Sequence, residues 1–320
     1  MKILVTGGAG YIGAHFINRL KGHEIIVVDN FCQGKNNIIK RLDIEYHNLD
    51  IRNKEELVKI LEEKKPDIVV HYAALANVPD SVTNPDKYYD NNVTGSLNVL
   101  EAMRRSDCKK IIFSSTAAVY GESNELINEA HPKNPTSPYG HSKLMFEQIL
   151  KDYHRAYGIS SVSFRYFCAS GCDEGEKIGC YHDPETQAIP NLVKTLLGKQ
   201  EIFNVWGNDF PTPDGTGVRD YIHVNDLADA HILAMKKLEE DGCFDYNLGI
   251  NNGFSVMELI KEAERVTGKK LNYKISPRRA GDPATIVASS MKAQKELGWM
   301  PKYTDIGEII LTDYNFFKSL

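Results

Sequence analysis

A tyrosine and a lysine stand four residues apart in Tyr139-Gly140-His141-Ser142-Lys143. At the start of a helix, that spacing puts both side chains on one face. A phenol with an ordinary pKa near ~10 is a poor base at neutral pH. A neighbouring ammonium favours the phenolate, which would make Tyr139 an acid–base group tuned by Lys143. The same pair on an exposed helix is common and has no role, so context decides. Upstream, Ile111-Ile112-Phe113-Ser114-Ser115-Thr116 reads as a strand ending in three hydroxyls. Ligands of open parallel sheets sit at the carboxyl ends of strands, which aims these hydroxyls at the same place.

A second constellation opens the chain. The run Lys2–Thr6 leads into Gly7-Gly8-Ala9-Gly10-Tyr11-Ile12-Gly13. A glycine turn between strand and helix lets the backbone approach a pyrophosphate, and the helix N-terminus offers free N–H groups. Asp29 falls 19 residues after Gly10, in reach of an adenosine ribose diol. An acid there repels a 2′-phosphate, so the expected cofactor is NAD. Asp50, in Asn48-Leu49-Asp50-Ile51-Arg52, reads equally well as an acceptor for the adenine amino group or as the cap of a helix starting at Lys54.

The elements that position these groups alternate. Candidate strands are Lys2–Thr6, Glu24–Asp29, Ile68–Tyr72, Lys110–Ser114 and Ser161–Tyr166; helical stretches are Tyr11–Lys21, Lys54–Lys64, Asn92–Arg105 and Ser142–Tyr157. That order implies βαβ units and a parallel sheet. The expected fold is α/β, a Rossmann-type doubly wound parallel sheet with a smaller mixed α/β substrate-binding domain. Residues 1–168 would form the cofactor domain, with a returning segment at about 218–242. Residues 169–217 and 243–320 would form the second.

Composition narrows the classes. Hydrophobic residues are 42% and charged residues 25% of 320, an ordinary globular balance that excludes bulk disorder. A net charge of −5 argues against a broad nucleic-acid surface. No run reaches the ~18 apolar residues of a membrane span, and the N-terminus lacks a signal-peptide pattern. The expectation is a cytoplasmic protein with no membrane partner and reduced thiols.

Taken together, Thr6–Gly13, Asp29-Asn30, Asn91-Asn92-Val93, Ser114–Thr116, Tyr139–Lys143, Arg165-Tyr166-Phe167, Gly215–Val224 and Arg278–Asp282 resemble the UDP-glucose 4-epimerase branch of the extended short-chain dehydrogenase/reductases over nearly the whole chain. The resemblance implies tightly held NAD and a UDP-sugar substrate. It makes Tyr139 the acid–base residue, with Lys143 and Thr116 completing the catalytic set. It places Gly7, Gly10, Tyr11, Ile12, Gly13, Asp29 and Asn30 on the cofactor, together with Asp50, Ile51, Tyr72, Ala73 and Ala74. Asn92, Ser114 and Tyr166 would line the nicotinamide side. The substrate would meet Thr116, Tyr139, Cys168, Asn191, Arg219, Arg279, Asp282 and Ile286. The two arginines would bind the diphosphate, Asp282 the uridine ribose, and Asn191 would open a helix toward a phosphate. A homodimer through Asn92–Arg105 and Ser142–Tyr157 also follows from the resemblance. Without it, Arg278-Arg279 reads as a basic turn and Asp220–Val224 as a buried strand.

Two positions depart from the pattern. Where the family usually has Asn after Arg-Tyr-Phe, this chain has Cys168, a weaker hydrogen-bonding group, so altered sugar handling is expected. Four residues after Asp282, where a large aromatic excludes N-acetylated sugars in some relatives, stands Ile286; tolerance of such sugars is expected. Cys168, Cys172, Cys180 and His182 cluster in sequence, but their spacings match no usual zinc pair, and no metal is expected. The alternatives are a 4,6-dehydratase or decarboxylase of the same superfamily and a silent NAD-binding sensor. Ala117-Ala118 after Thr116 lacks the acid pair of a dehydratase, and retention of both Tyr139 and Lys143 speaks against a sensor.

Overall fold

The computed structural model describes residues 1–33, 39–40, 43–123, 125–173, 175, 178–182, 185–279 and 282–320. Ala280 and Gly281 of the Arg278–Asp282 motif lie outside the described residues. Seven strands make the main sheet: β1 (Lys2–Thr6), β2 (Glu24–Asp29), β3 (Glu45–Asn48), β4 (Ile68–His71), β5 (Lys110–Thr116), β6 (Ser160–Tyr166) and β7 (Cys243–Leu248). Their spatial order is β3-β2-β1-β4-β5-β6-β7, and every neighbouring pair is parallel. This is the Rossmann-type order, with its switch point between β1 and β4.

The described helices of nine or more residues are α1 (Tyr11–Arg19), α2 (Lys54–Lys64), α3 (Gly95–Arg105), α4 (Pro138–Tyr157), α5 (Ala188–Leu196), α6 (Val224–Lys237), α7 (Val256–Thr267) and α8 (Ile306–Ser319). Side chains alternate along β1, so Ile3 and Val5 join one core and Leu4 the other. The first core takes in Phe16 and Ile17 of α1 and Leu227 and Ala234 of α6. The second takes in Leu57 of α2, Val99 of α3 and Phe146 of α4. Burial on both faces explains why these strands read as continuous apolar runs. A third core, with Leu192, Val193, Leu259, Ile309 and Phe316, joins α5, α7 and α8.

Several boundaries move. Helix α4 starts at Pro138 instead of Ser142, because the Ser137 hydroxyl accepts from the Gly140 N–H and proline suits the first helical turn. Helix α3 starts at Gly95, after a wider turn over Asp90–Thr94. The cap of α2 is Asn53, which accepts from the Glu56 N–H, so Asp50 is not the cap. Strand β7 pairs with β6, so the segment returning to the sheet runs through Leu248, past the limit near 242. Trp299, 1% exposed, also packs into the first core and donates its indole N–H to the Asp226 carbonyl at 2.9 Å.

Candidate functional site

One cavity of about 750 Å³ runs along the carboxyl end of the sheet and under the unit of α5, α7 and α8. Its floor begins at the glycine turn. Gly7 has φ +71°, and a Cβ there would sit 2.5 Å from the Ala73 nitrogen; one on Gly13 would sit 2.5 Å from the Gly7 carbonyl. Only bare backbone fits so tight a cradle. No side chain caps α1 at Gly10, and its first helical N–H bond is Ala14 to Gly10. The N–H groups of Tyr11, Ile12 and Gly13, all lining the cavity, therefore lie ahead of any intrahelical partner. The Tyr11 hydroxyl points into the second unit and donates to the Gly171 carbonyl at 2.5 Å.

Four predicted cofactor residues gather outside this cavity, beyond β2 and β3. Asp29 accepts from the Ala9 N–H at 3.0 Å and the Phe31 N–H at 2.7 Å, tying the glycine turn to the strand end. Burial raises its carboxyl above the ordinary range, with those two donors opposing. Asn30 donates to Asp50 at 2.9 Å, and Arg52 holds Asp50 well below the usual carboxylate range. The Ile51 side chain is buried in the second core. Tyr72 and Ala74 line the cavity; Ala73 instead backs onto Gly7. The buried Tyr72 hydroxyl has no hydrogen-bond partner among the described residues.

The three residues expected to carry the chemistry line the cavity together. Thr116 ends β5, and its hydroxyl hydrogen-bonds the Tyr139 phenol on the first turn of α4, lowering a phenol pKa that burial otherwise raises. Lys143 lies one turn on, its ammonium 6.0 Å from the Tyr139 ring centre and 2.8 Å from the Ser114 carbonyl, to which it donates. Burial pulls Lys143 down to about 7, with Glu147 opposing. Without bound cofactor, burial and the Thr116 hydroxyl set the Tyr139 phenol. The Ser114 hydroxyl bonds the Tyr166 phenol. That phenol donates to His231 Nε2 at 2.7 Å, because His231 Nδ1 gives its proton to the Leu227 carbonyl at 2.8 Å.

Asn92 does not line this side. It is 2% exposed, accepts from the Leu75 N–H and donates to the Leu75 carbonyl and the Ser142 hydroxyl. Ser142 in turn donates to the Tyr139 carbonyl at 2.7 Å. Asn92 is thus a brace behind the tyrosine, and the wide turn at Asp90–Thr94 carries it.

Cys168, Asn191, Arg219, Arg279 and Asp282 line the other half. The Cys168 thiol is pushed up to about 11 by burial, with Arg219 opposing. Asn191 sits in the first turns of α5, which starts at Ala188, so it does not open the helix. Its amide donates to the Glu185 and Gln187 carbonyls. Arg219 donates to the Val218, Ala284 and Pro283 carbonyls. Arg279 pairs with Asp282 at 2.8 Å and lies 5.8 Å over the Trp206 ring. Ile286 packs with Val119, Tyr120 and Ile127 in a small cluster and is not a wall of the cavity. Sequence reasoning missed Trp206 and Phe210, which line the cavity on either side of Gly207. Two aromatics in a Gly-, Pro- and Asp-rich segment were the available signal.

The profile of the NAD dependent epimerase/dehydratase family matches residues 3–249. A UDP-glucose 4-epimerase of Lacticaseibacillus casei is 43% identical over 100% of this chain and 97% of its own length. That of Halalkalibacterium halodurans is 44% identical over 100% of this chain and 96% of its own. The solved UDP-glucose 4-epimerase of Bifidobacterium longum in complex with NAD⁺ and UDP has a TM-score of 0.95 at 39% identity, covering 100% of this chain and 98% of that one. The Brucella ovis enzyme in complex with NAD has a TM-score of 0.94 at 41% identity, over 99% and 98%. The chain therefore belongs to the NAD dependent epimerase/dehydratase family, among the UDP-glucose 4-epimerases of the extended short-chain dehydrogenase/reductases.

Proposed function

We propose that this chain interconverts UDP-glucose and UDP-galactose at C4, using NAD that stays bound. The observation that carries this is the Thr116–Tyr139 pair with Lys143 one turn below, in one cavity with the glycine cradle and with Arg219 and Arg279. The cradle fits a dinucleotide: Gly7 and Gly13 leave room only for backbone, and the α1 N-terminus faces the space where phosphates would lie. Held by that cradle, NAD would supply a hydride acceptor regenerated in each cycle, so no external redox partner would be consumed.

The residues handle the proton. Tyr139 takes it from the 4-hydroxyl and later gives it back; Thr116 holds that hydroxyl and steadies the phenolate. Lys143 contributes positive charge beside Tyr139 and a donor for the nicotinamide ribose. Arg219 and Arg279 grip the diphosphate while the sugar ring turns, so one proton site serves both faces. Trp206 and Phe210 offer ring faces to the uracil end. Asp29 and Asn30 take the adenosine ribose, and Asp50 and the Ile51 backbone the adenine.

Ala117 and Ala118 follow Thr116 where a dehydratase needs acids, and the Ala118 N–H donates to Thr116 at 3.2 Å. Residues 1–168 with the returning stretch form the cofactor unit, and the unit of α5, α7 and α8 forms the sugar-nucleotide unit. N-acetylhexosamine forms are also substrates, because Ile286 presents no bulk to the cavity. A homodimer forms through α3 and α4, and the enzyme works in the cytoplasm; among the described residues no helix is long and apolar enough to cross a membrane.

The test is direct. Denatured protein is analysed for released NAD, and native protein is incubated with UDP-galactose without added cofactor. UDP-glucose formation, lost in Tyr139→Phe with NAD content unchanged, supports the reading. Bound NAD without turnover of any UDP-sugar overturns it in favour of a sensor. UDP-GlcNAc is assayed alongside, and its failure to turn over rejects the wider scope alone.

A further inference from the structure

We propose that Cys180, His182 and Glu185 form a binding site for a divalent metal of the zinc class. Their ligand atoms all lie within 4.8 Å of one another. Cys180 Sγ is 3.2 Å from His182 Nδ1 and 3.2 Å from Glu185 Oε2, and His182 Nδ1 is 3.9 Å from Glu185 Oε1. Zinc bonds of ~2.3 Å to sulfur and ~2.0 Å to nitrogen or oxygen, at tetrahedral angles, set ligand atoms roughly 3.3–3.6 Å apart. Cys180 Sγ already stands close to that spacing from both partners, and drawing His182 and one Glu185 oxygen onto the same ion takes a side-chain adjustment within the 4.8 Å cluster.

The surroundings suit a ligand set. Cys180 is fully buried and the Glu185 side chain is 5% exposed. Glu185 Oε1 accepts from the Thr186 and Gln187 N–H groups, at 2.9 Å each, which fixes the carboxylate plane. Thiolate plus carboxylate balance the two charges of the ion. The opposing charge is Lys194, 3.5 Å from Glu185 Oε2; its ammonium also lies 5.0 Å from the Phe317 ring centre, where it remains held. Three protein ligands leave a fourth position, and His182 and Glu185 both line the main cavity, so that position faces it. The His182 ring stands edge-on to Tyr11 of the glycine turn, 6.3 Å between centres. A metal here would pin the segment before α5 against that turn. Neither cysteine spacing revealed the set, because the fold recruits one thiol only: the Cys172 thiol donates to Asp313 at 3.0 Å instead.

Binding exchanges the Cys180 proton for the metal: the thiol loses H⁺ to solvent as the sulfur–metal bond forms. One proton is released per ion bound.

Reduced, chelator-treated full-length protein is titrated with Zn²⁺ against a chromophoric chelator, and with Co²⁺ to read the thiolate charge-transfer band. One equivalent is expected. Cys180→Ser and the half-exposed His182→Ala should each weaken Zn²⁺ binding about 100-fold, with the charge-transfer band lost only in Cys180→Ser; Cys32→Ser, on an exposed thiol, should change nothing. Circular dichroism confirms that each variant folds, and His182→Ala stands alone if Cys180→Ser does not. Wild-type protein that fails to compete with the chelator overturns the site. So does Zn²⁺ binding that is indifferent to His182→Ala.

Discussion

Glu147 and Arg165 form a two-point ion pair between α4 and β6, with Nε–Oε1 at 2.9 Å and Nη2–Oε2 at 2.6 Å and side-chain exposures of 2% and 0%. The Ser115 hydroxyl donates to the same carboxylate at 2.5 Å, and Arg165 donates to the Tyr120 hydroxyl at 2.7 Å. This network fixes α4 against β5 and β6 one turn beyond Lys143, so it sets where the Tyr139–Lys143 turn can stand.

Replacing Glu147 by Gln should therefore destabilise the fold strongly. It leaves a buried guanidinium with only Asp245, 3.0 Å away, as a charged partner. The expected loss is about 3 kcal/mol, at the low end for a broken buried pair because Asp245 remains. Urea denaturation of the two proteins reads it; a midpoint within error of the parent would show that the network carries little stability.

Lys143 gives a pH signature with a definite sign. Folding without ligands lowers it from 10.5 to about 7. Between those pH values the unfolded chain binds a proton that the folded chain lacks, so this group makes stability rise with pH. Below about pH 7 the ammonium is buried in its charged form and its cost is fully present. Lys143→Met should then be inactive yet more stable than the parent once cofactor is stripped from both. The gap should be widest at pH 6–7 and shrink toward pH 10. Urea midpoints across that range decide it, and a gap that is flat or widens with pH counts against the assignment.

Cys168 faces the cavity with a thiol that burial keeps protonated, a weak donor and weak acceptor. Cys168→Asn adds an amide at the position where relatives bond the sugar or diphosphate. We expect its effect to fall mainly on KM for the UDP-hexose, by about tenfold or less, the range of one hydrogen bond of ~1 kcal/mol. Steady-state kinetics with each UDP-sugar check this. Identical constants for every substrate would mean that the sugar does not meet residue 168.

How far sequence alone reached follows from what is local. Tyr139 and Lys143 share a helix face by spacing, and Thr116 ends a strand made evident by its apolar run; all three were legible. Strand β3, Glu-Tyr-His-Asn, was not, because an edge strand with exposed polar residues carries no apolar pattern. Strand β7 hid its place for a related reason: Asp245 and Asn247 interrupt it, and only the fold supplies their partners, Arg165 and the Tyr120 hydroxyl. The surroundings of Asn92 and Ile286 were the least legible at the site. Their positions in a motif were readable, but a wide helical turn aims one into a brace, and a two-residue strand turns the other into a side cluster.

Asp29 supports two separable functions, and a single substitution divides them. Its carboxylate receives two backbone N–H groups, from Ala9 in the glycine turn and from Phe31 after the strand. In the proposed cofactor placement it also sets a negative charge against a 2′-phosphate. Asp29→Asn keeps an acceptor oxygen for one of those N–H groups and removes the charge. The turn should loosen modestly, and cofactor-stripped protein should rebind NAD more weakly. Binding of NADP should improve relative to NAD by at least about tenfold, the size of one relieved charge repulsion of ~1.4 kcal/mol. Equilibrium titration of both dinucleotides into stripped protein measures the ratio. A ratio unchanged while NAD affinity falls would mean that Asp29 serves the turn alone, and that discrimination against the 2′-phosphate comes from Asp50, whose carboxylate lies next to Asn30 at the same strand ends.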